Sequence, residues 1–181
     1  MAEKLVILSD MWGSKKGLWI TSYLGYLQQY FDIKFHDTQQ LAGVDIVVCT
    51  PENLYEAFQN GGRETAVAQL LNKESEPCHY LTFCAGGTVA WNAALQGLPM
   101  KSLYAVSPID LSLDAPKPDC PVRLLYGEND NAIPSVEWAT SKEVSLEVLP
   151  HYGHELYSDE QIVQKVCLSL LDSVIHKKFQ L

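Results

Sequence analysis

The stretch His79-Tyr-Leu-Thr-Phe-Cys-Ala-Gly-Gly-Thr-Val-Ala-Trp91 decides how this chain folds. Its first half, His79–Phe83, is a short, mostly apolar run of strand character. Its second half opens a helix, and Cys84 stands in the turn between them. Ala85, Gly86 and Gly87 keep that turn sharp and let the helix approach the strand closely. Such a turn exposes the side chain at its apex and points backbone N–H groups and the positive end of the helix at whatever binds there. For a thiol, that setting favours the thiolate, which is the reactive form. A cysteine between strand and helix can equally be a buried packing residue, so both readings stand at this point.

Working outward, short apolar runs alternate with helical patterns. Lys4–Ser9, Asp32–His36, Asp45–Cys49, His79–Phe83, Leu103–Val106, Val122–Tyr126 and Ser145–Leu149 read as strands. Several lack polar alternation, as strands covered on both faces do. Gly17–Tyr30, Glu52–Phe58, Arg63–Asn72, Thr88–Leu95, Ser135–Thr140 and residues from about Asp159 to His176 read as helices. In the last of these, Ser158 and Gln161 have capping-box spacing, and Val163, Val166, Cys167, Leu170, Leu171 and Val174 form one apolar stripe. Alternating β and α units predict a mainly parallel sheet with helices on both faces. No repeat, low-complexity tract or linker interrupts the 181 residues, so a single α/β domain over 1–181 is expected.

Two later loops carry acid–base chemistry. Val122–Tyr126 leads into Gly127-Glu-Asn-Asp-Asn-Ala-Ile-Pro134, which places Asp130 just past a strand's C-terminal end, where sites form in parallel sheets. Glu128 is a rival acid on the same loop, and either residue can be an ordinary turn residue. Ser145–Leu149 leads into Pro150-His-Tyr-Gly-His154, with His154 a candidate general base and His151 its competitor. His151-x-x-His154 without further ligands does not make a metal site, and no cofactor or metal is expected.

The elbow Thr82-Phe83-Cys84-Ala85-Gly86 resembles the Gly-x-nucleophile-x-Gly turn of α/β-hydrolases, with Thr82 at the first glycine position and Cys in place of the commoner Ser. Cysteine elbows followed by two glycines resemble those of dienelactone hydrolases and polyhydroxyalkanoate synthases. The segment Gly127–Pro134 is similar to the family's acid loop, and Gly153-His154 to its histidine loop. The resemblance implies a single-domain α/β-hydrolase fold with a minimal lid or none, and a triad of Cys84, His154 and Asp130. It also implies an oxyanion hole from the backbone N–H groups of Ala85 and of the loop Asp10-Met11-Trp12-Gly13, where Trp12 is the expected donor. That loop resembles the His-Gly-Trp-Gly loop of compact carboxylesterases, with Asp10 and Met11 departing from it. Trp12 reads equally as a hydrophobic anchor. Trp12, Phe83, Ile133 and Trp138 are the expected substrate-wall residues, and each reads equally as a core residue. Asp10, a carboxylate beside the presumed site, is expected to raise the Cys84 pKa.

A thiolate suits activated acyl groups, so hydrolysis of an ester, thioester or lactone through an acyl-enzyme is the expected reaction. A carrier-bound acyl methyl ester is a narrower candidate, with Lys15, Lys16 and Lys101 as the basic residues an acidic carrier would need. Two rivals remain: a flavodoxin-like cysteine enzyme of glutaminase or stress-chaperone type, and a non-catalytic hydrolase-like binding protein. The segment Ser107–Pro121 is too short for a cap domain and predicts an open cleft, in a monomer or homodimer. The formal charge of 13 − 22 = −9 argues against nucleic acid and anionic membrane as partners. Five irregularly spaced cysteines suit a reducing compartment, and no apolar run matches a signal peptide core or a membrane span. A cytoplasmic location is therefore expected.

Overall fold

A computed structural model of the protein describes residues 1–179. Six strands form one all-parallel sheet: β1 (Glu3–Leu8), β2 (Phe31–His36), β3 (Cys78–Phe83), β4 (Met100–Val106), β5 (Val122–Gly127) and β6 (Ser145–Leu149), in the order β2-β1-β3-β4-β5-β6. The central strands β1, β3, β4 and β5 each end in four consecutive buried residues, which is why their sequences lack polar alternation.

Seven helices accompany the strands among the described residues: α1 (Ile20–Leu27), α2 (Thr38–Leu41), α3 (Pro51–Ala57), α4 (Arg63–Lys73), α5 (Ala85–Leu95), α6 (Val136–Ser141) and α7 (Glu160–Phe179). From β1 the chain moves one way along the sheet to β2. From β2 onward it moves the other way, through β3 to β6. Right-handed crossovers then place α1 on one face and α4 and α5 on the other. The packing agrees: α1 lies on α7, and α4 lies on α2 and α5. The reversal falls between β1 and β3. Their C-terminal ends therefore border the crevice where ligands bind in open parallel sheets.

Three local expectations are corrected. Asp45–Cys49 is not a strand; it is an irregular link from α2 to α3, with Val47 and Val48 exposed. Both sides of β1 are already paired, by β2 and β3, and the segment is taken up by the turn into α3, where Thr50 caps the helix and Pro51 opens it. The capping box at Ser158 is replaced by Asp159, whose Oδ1 accepts from Gln161 N at 2.9 Å, while Ser158 Oγ donates to Glu155 O. The helix after the elbow starts at Ala85, three residues before the expected Thr88. The apolar stripe of α7 is buried at Val163, Val166, Cys167, Leu170 and Val174, while Leu171 is half-buried at its edge.

No cap domain stands between β4 and β5. Residues 107–121 instead form a strap pinned along its length. Tyr126 Oη donates to Pro108 O, Thr88 Oγ1 to Ile109 O, Trp138 Nε1 to Leu113 O and Lys142 Nζ to Ala115 O.

Candidate active site

Cys84 sits between the last residue of β3 and the first of α5 with φ 48° and ψ −123°, a left-handed backbone that a non-glycine residue rarely adopts. The small residues after it are sterically required. A Cβ on Gly86 would stand 2.4 Å from Ser9 O, and one on Gly87 would stand 2.8 Å from the Pro108 ring. The elbow thus brings together the loop after β1, the strap and the first turn of α5.

The three residues read from sequence meet there. His154 Nε2 lies 3.2 Å from Cys84 Sγ, and His154 Nδ1 lies 2.8 Å from Asp130 Oδ2. With Nδ1 donating to the carboxylate, Nε2 is the nitrogen that faces sulfur. Asp130 is buried, and its other oxygen accepts from Ala132 N at 2.9 Å. Burial pushes the Asp130 carboxyl up, but the His154 and Ala132 hydrogen bonds outweigh it and hold the group below its usual pKa. Burial likewise disfavours the His154 imidazolium. The hydrogen bonds to Asp130 and Cys84 reverse this and raise its pKa to about 10.

The rivals are engaged elsewhere. Glu128 Oε2 accepts from the His151 N–H at 3.0 Å, and His151 is exposed. Asn129 N donates to Tyr152 O, and Glu128 N to Leu149 O, so the acid loop and the histidine loop are joined through their backbones.

On the oxyanion side, Ala85 is the first residue of α5, and its N–H has no partner within the helix. Trp12 does not supply the second donor in this geometry: its N–H is held by Asp10 Oδ1 at 3.1 Å, and its ring lies under Lys16 Nζ. Met11, one residue earlier, borders the cleft. Asp10 is buried. Burial raises its pKa to about 6, against the hydrogen bonds from Tyr157 Oη and Trp12 N. Tyr157 is pushed far above the usual phenol range by burial and by the charges of Cys84 and Asp10, so these three groups share one electrostatic neighbourhood.

A cleft of about 550 Å³ opens beside Asp130 and His154; Cys84 is not among its lining residues and is buried, against the expectation that the elbow exposes its side chain. Met11, Ile109, Leu111, Leu113 and Tyr126 form much of its wall, Asp130 and His154 lie on one side, and Tyr55 and Asp110 border it as well. The expected wall residues lie elsewhere. Phe83 is fully buried and packs against Trp19 and Tyr23; successive side chains on a strand point to opposite faces, so the residue before the elbow faces the α1 layer. Trp138 packs beside Trp91 and reaches the cleft only indirectly, by holding Leu113 O. Ile133 packs on the core between the lining residues Ala132 and Pro134. Lys101 is far from the site in the sheet: it pairs with Glu3 near the N-terminal ends of β4 and β1.

Among the described residues, no group of three or more His, Cys, Asp or Glu could hold a metal ion, and no helix is long and apolar enough to cross a membrane. Neither a protein-family model nor a curated protein matches the sequence. Solved structures do match. One, assigned to the α/β superfamily of hydrolases and from Xanthomonas campestris, is 18% identical; the match covers 94% of this chain and 99% of that one, with a TM-score of 0.69. Another, assigned as a dienelactone hydrolase from Klebsiella pneumoniae, is 16% identical over 94% of this chain and 85% of that one, with a TM-score of 0.70. A dienelactone hydrolase-like promiscuous phosphotriesterase from metagenomic libraries is 13% identical over 97% and 86%, with a TM-score of 0.64. With its strand order, its elbow and these likenesses, the chain has the α/β-hydrolase fold.

Proposed function

We propose that the protein is a hydrolase that cleaves an ester, thioester or lactone through a covalent acyl-Cys84 intermediate. The observation that carries this is the unbroken line from Sγ to Nε2 at 3.2 Å and from Nδ1 to Asp130 at 2.8 Å. The sulfur of Cys84 attacks the carbonyl carbon while His154 Nε2 holds the thiol proton, then passes it to the departing alkoxide or thiolate. Water next attacks the thioester, and His154 takes a proton from it and returns one to sulfur. Asp130 fixes the imidazole tautomer and stabilises the imidazolium. The Ala85 N–H and, in place of Trp12, the Met11 N–H receive the developing oxyanion. Solved structures of the same fold that are named as hydrolases support this chemistry.

The test is turnover of p-nitrophenyl and thioester acyl substrates by wild type, Cys84→Ala and His154→Ala, with intact mass read for an acyl adduct. Turnover in wild type, lost in both variants and retained by His151→Ala, is the expected result. Wild type giving neither product nor adduct across acyl lengths would overturn the proposal in favour of a non-catalytic binding protein.

A further inference from the structure

The walls of the cleft carry information on charge. Among the described residues, no lysine or arginine lines it, and His154 is the one basic side chain there. Among the described residues, the one carboxylate on the wall besides Asp130 is Asp110, at φ 51° on the strap. It is held in place, with Oδ2 accepting from Gln59 Nε2 at 2.7 Å, and Tyr55 borders the cleft with it. Both residues come from the α3 region, so the carboxylate is fixed beside an aromatic ring where α3 meets the strap.

We propose that Asp110, backed by Tyr55, acts as a charge filter. The cleft prefers an acyl chain whose far end bears a positively charged nitrogen, accepts a neutral one, and disfavours a carboxylate or phosphate. The proposal rests on the reading of this cleft as the acyl site. Apolar residues of the strap contact the chain, and the cationic end meets the carboxylate and the face of the Tyr55 ring. Arg63 opposes this. It lies in the adjoining narrow crevice with Tyr55, Gln59 and Asp110, outside the cleft wall, near Glu64 at 3.8 Å. Because Asp110 is exposed, the filter has a modest, salt-sensitive strength: about fivefold in affinity for each unit of charge on the ligand. An acidic carrier or carboxylate-tipped acyl group is therefore a poor fit.

The test uses three methyl esters of matched shape: 4-(trimethylammonio)butyrate, 5,5-dimethylhexanoate and glutarate monoester. Affinities are measured by calorimetry on Cys84→Ala, which keeps the esters intact, and on Cys84→Ala carrying Asp110→Asn. Asparagine tolerates the left-handed backbone and can still accept from Gln59, so the change removes charge and keeps shape. The expected order is cationic, neutral, anionic, compressed to within about twofold by Asp110→Asn and widened by Arg63→Gln. Equal affinities in the Asp110 parent, an order that survives Asp110→Asn, or no binding by any ester would each overturn the filter. Wild-type turnover of the same esters separates the two ideas. Ranked binding without turnover would sink catalysis and leave the filter standing, and turnover without ranking would sink the filter alone.

Discussion

Two glycines flank the joined acid and histidine loops, and the same substitution at each has opposite consequences. Gly127 ends β5 directly beneath the histidine loop. A methyl there would stand 2.4 Å from Tyr152 O, 2.5 Å from Tyr152 C and 2.6 Å from Gly153 O, all backbone atoms. Ordinary contact starts near 3.4 Å, so Gly127→Ala must open a gap of 3.4 − 2.4 = 1.0 Å by lifting that loop. The lift strains the bonds from Asn129 N to Tyr152 O (2.9 Å) and Glu128 N to Leu149 O (2.8 Å). It also carries His154 from 3.2 Å toward about 4.2 Å from the Cys84 sulfur if the motion lies along that line.

Overpacking of this kind costs about 1–3 kcal/mol, and for a chain of this size each kcal/mol lowers the melting temperature by about 2–4 °C. A misplacement of roughly 1 Å in a catalytic group costs on the order of 10²-fold in rate. Gly153 has nothing within 4 Å of the position of a Cβ and no positive φ, so Gly153→Ala should change stability by no more than about 1 kcal/mol, in the stabilising direction. The assay is kcat/KM on a p-nitrophenyl ester together with thermal melting for both variants. Gly127→Ala with wild-type rate and melting temperature, or Gly153→Ala as damaging as Gly127→Ala, would refute the reasoning.

Two further expectations follow from the charges. Burial lifts the folded pKa of Asp10 to about 6 from its ordinary 3.8, so its ionisation weakens the fold as pH rises through that interval. Asp10→Asn should therefore melt higher than wild type above pH 6 and match it below pH 3.8, and a melting difference that stays constant across that interval would refute this. His154, raised to about 10, contributes stability that is fully present below pH 6.5 and is lost as pH climbs to about 10, while the lowered Asp130 contributes above pH 3.8. The melting difference between wild type and His154→Gln should be largest between pH 3.8 and 6.5 and shrink toward pH 10; a flat difference would contradict the ion-pair account.

What could be read from sequence was whatever lies next to a strand end. Cys84, Asp130 and His154 each follow a short apolar run, and in a parallel sheet all such ends share one rim, so local pattern sufficed to bring the three together. The cleft walls obey no such rule. Ile109, Leu111 and Leu113 lie in an aperiodic segment whose position over the site depends on β4 lying beside β3 and on the bonds that pin the strap. Tyr55 arrives from a helix about thirty residues before the elbow, a distance only the tertiary fold closes. Asp45–Cys49 shows the opposite failure: Ile, Val and Val give strong strand propensity, but the segment is an irregular link with Val47 and Val48 exposed, leading into the capped start of α3. Trp12 was displaced by a side chain. Asp10 bonds the N–H two residues ahead, as short carboxylates often do in turns, and thereby occupies the expected donor.

The departure at Thr82 has a structural counterpart one residue beyond the usual elbow pattern, at Gly87. Thr82 is fully buried in β3, and its Oγ1 finds no hydrogen-bond partner, so its bulk must be accommodated by what faces it. A Cβ on Gly87 would lie 3.2 Å from that Oγ1, 2.8 Å from the Pro108 ring and 3.4 Å from the Ala105 methyl. Gly86 faces a different surface, Ser9 O with Leu8 O and Cβ, where the loop after β1 begins. The two glycines are thus not interchangeable. Gly86 lets the loop after β1 lie against the helix N-terminus, and Gly87 leaves room for both the threonine and the strap. Thr82, larger than glycine, is compatible with the sharp turn at Cys84 because Gly87, on the helix side of that turn, leaves room for it, and the sulfur, imidazole and carboxylate stay in line.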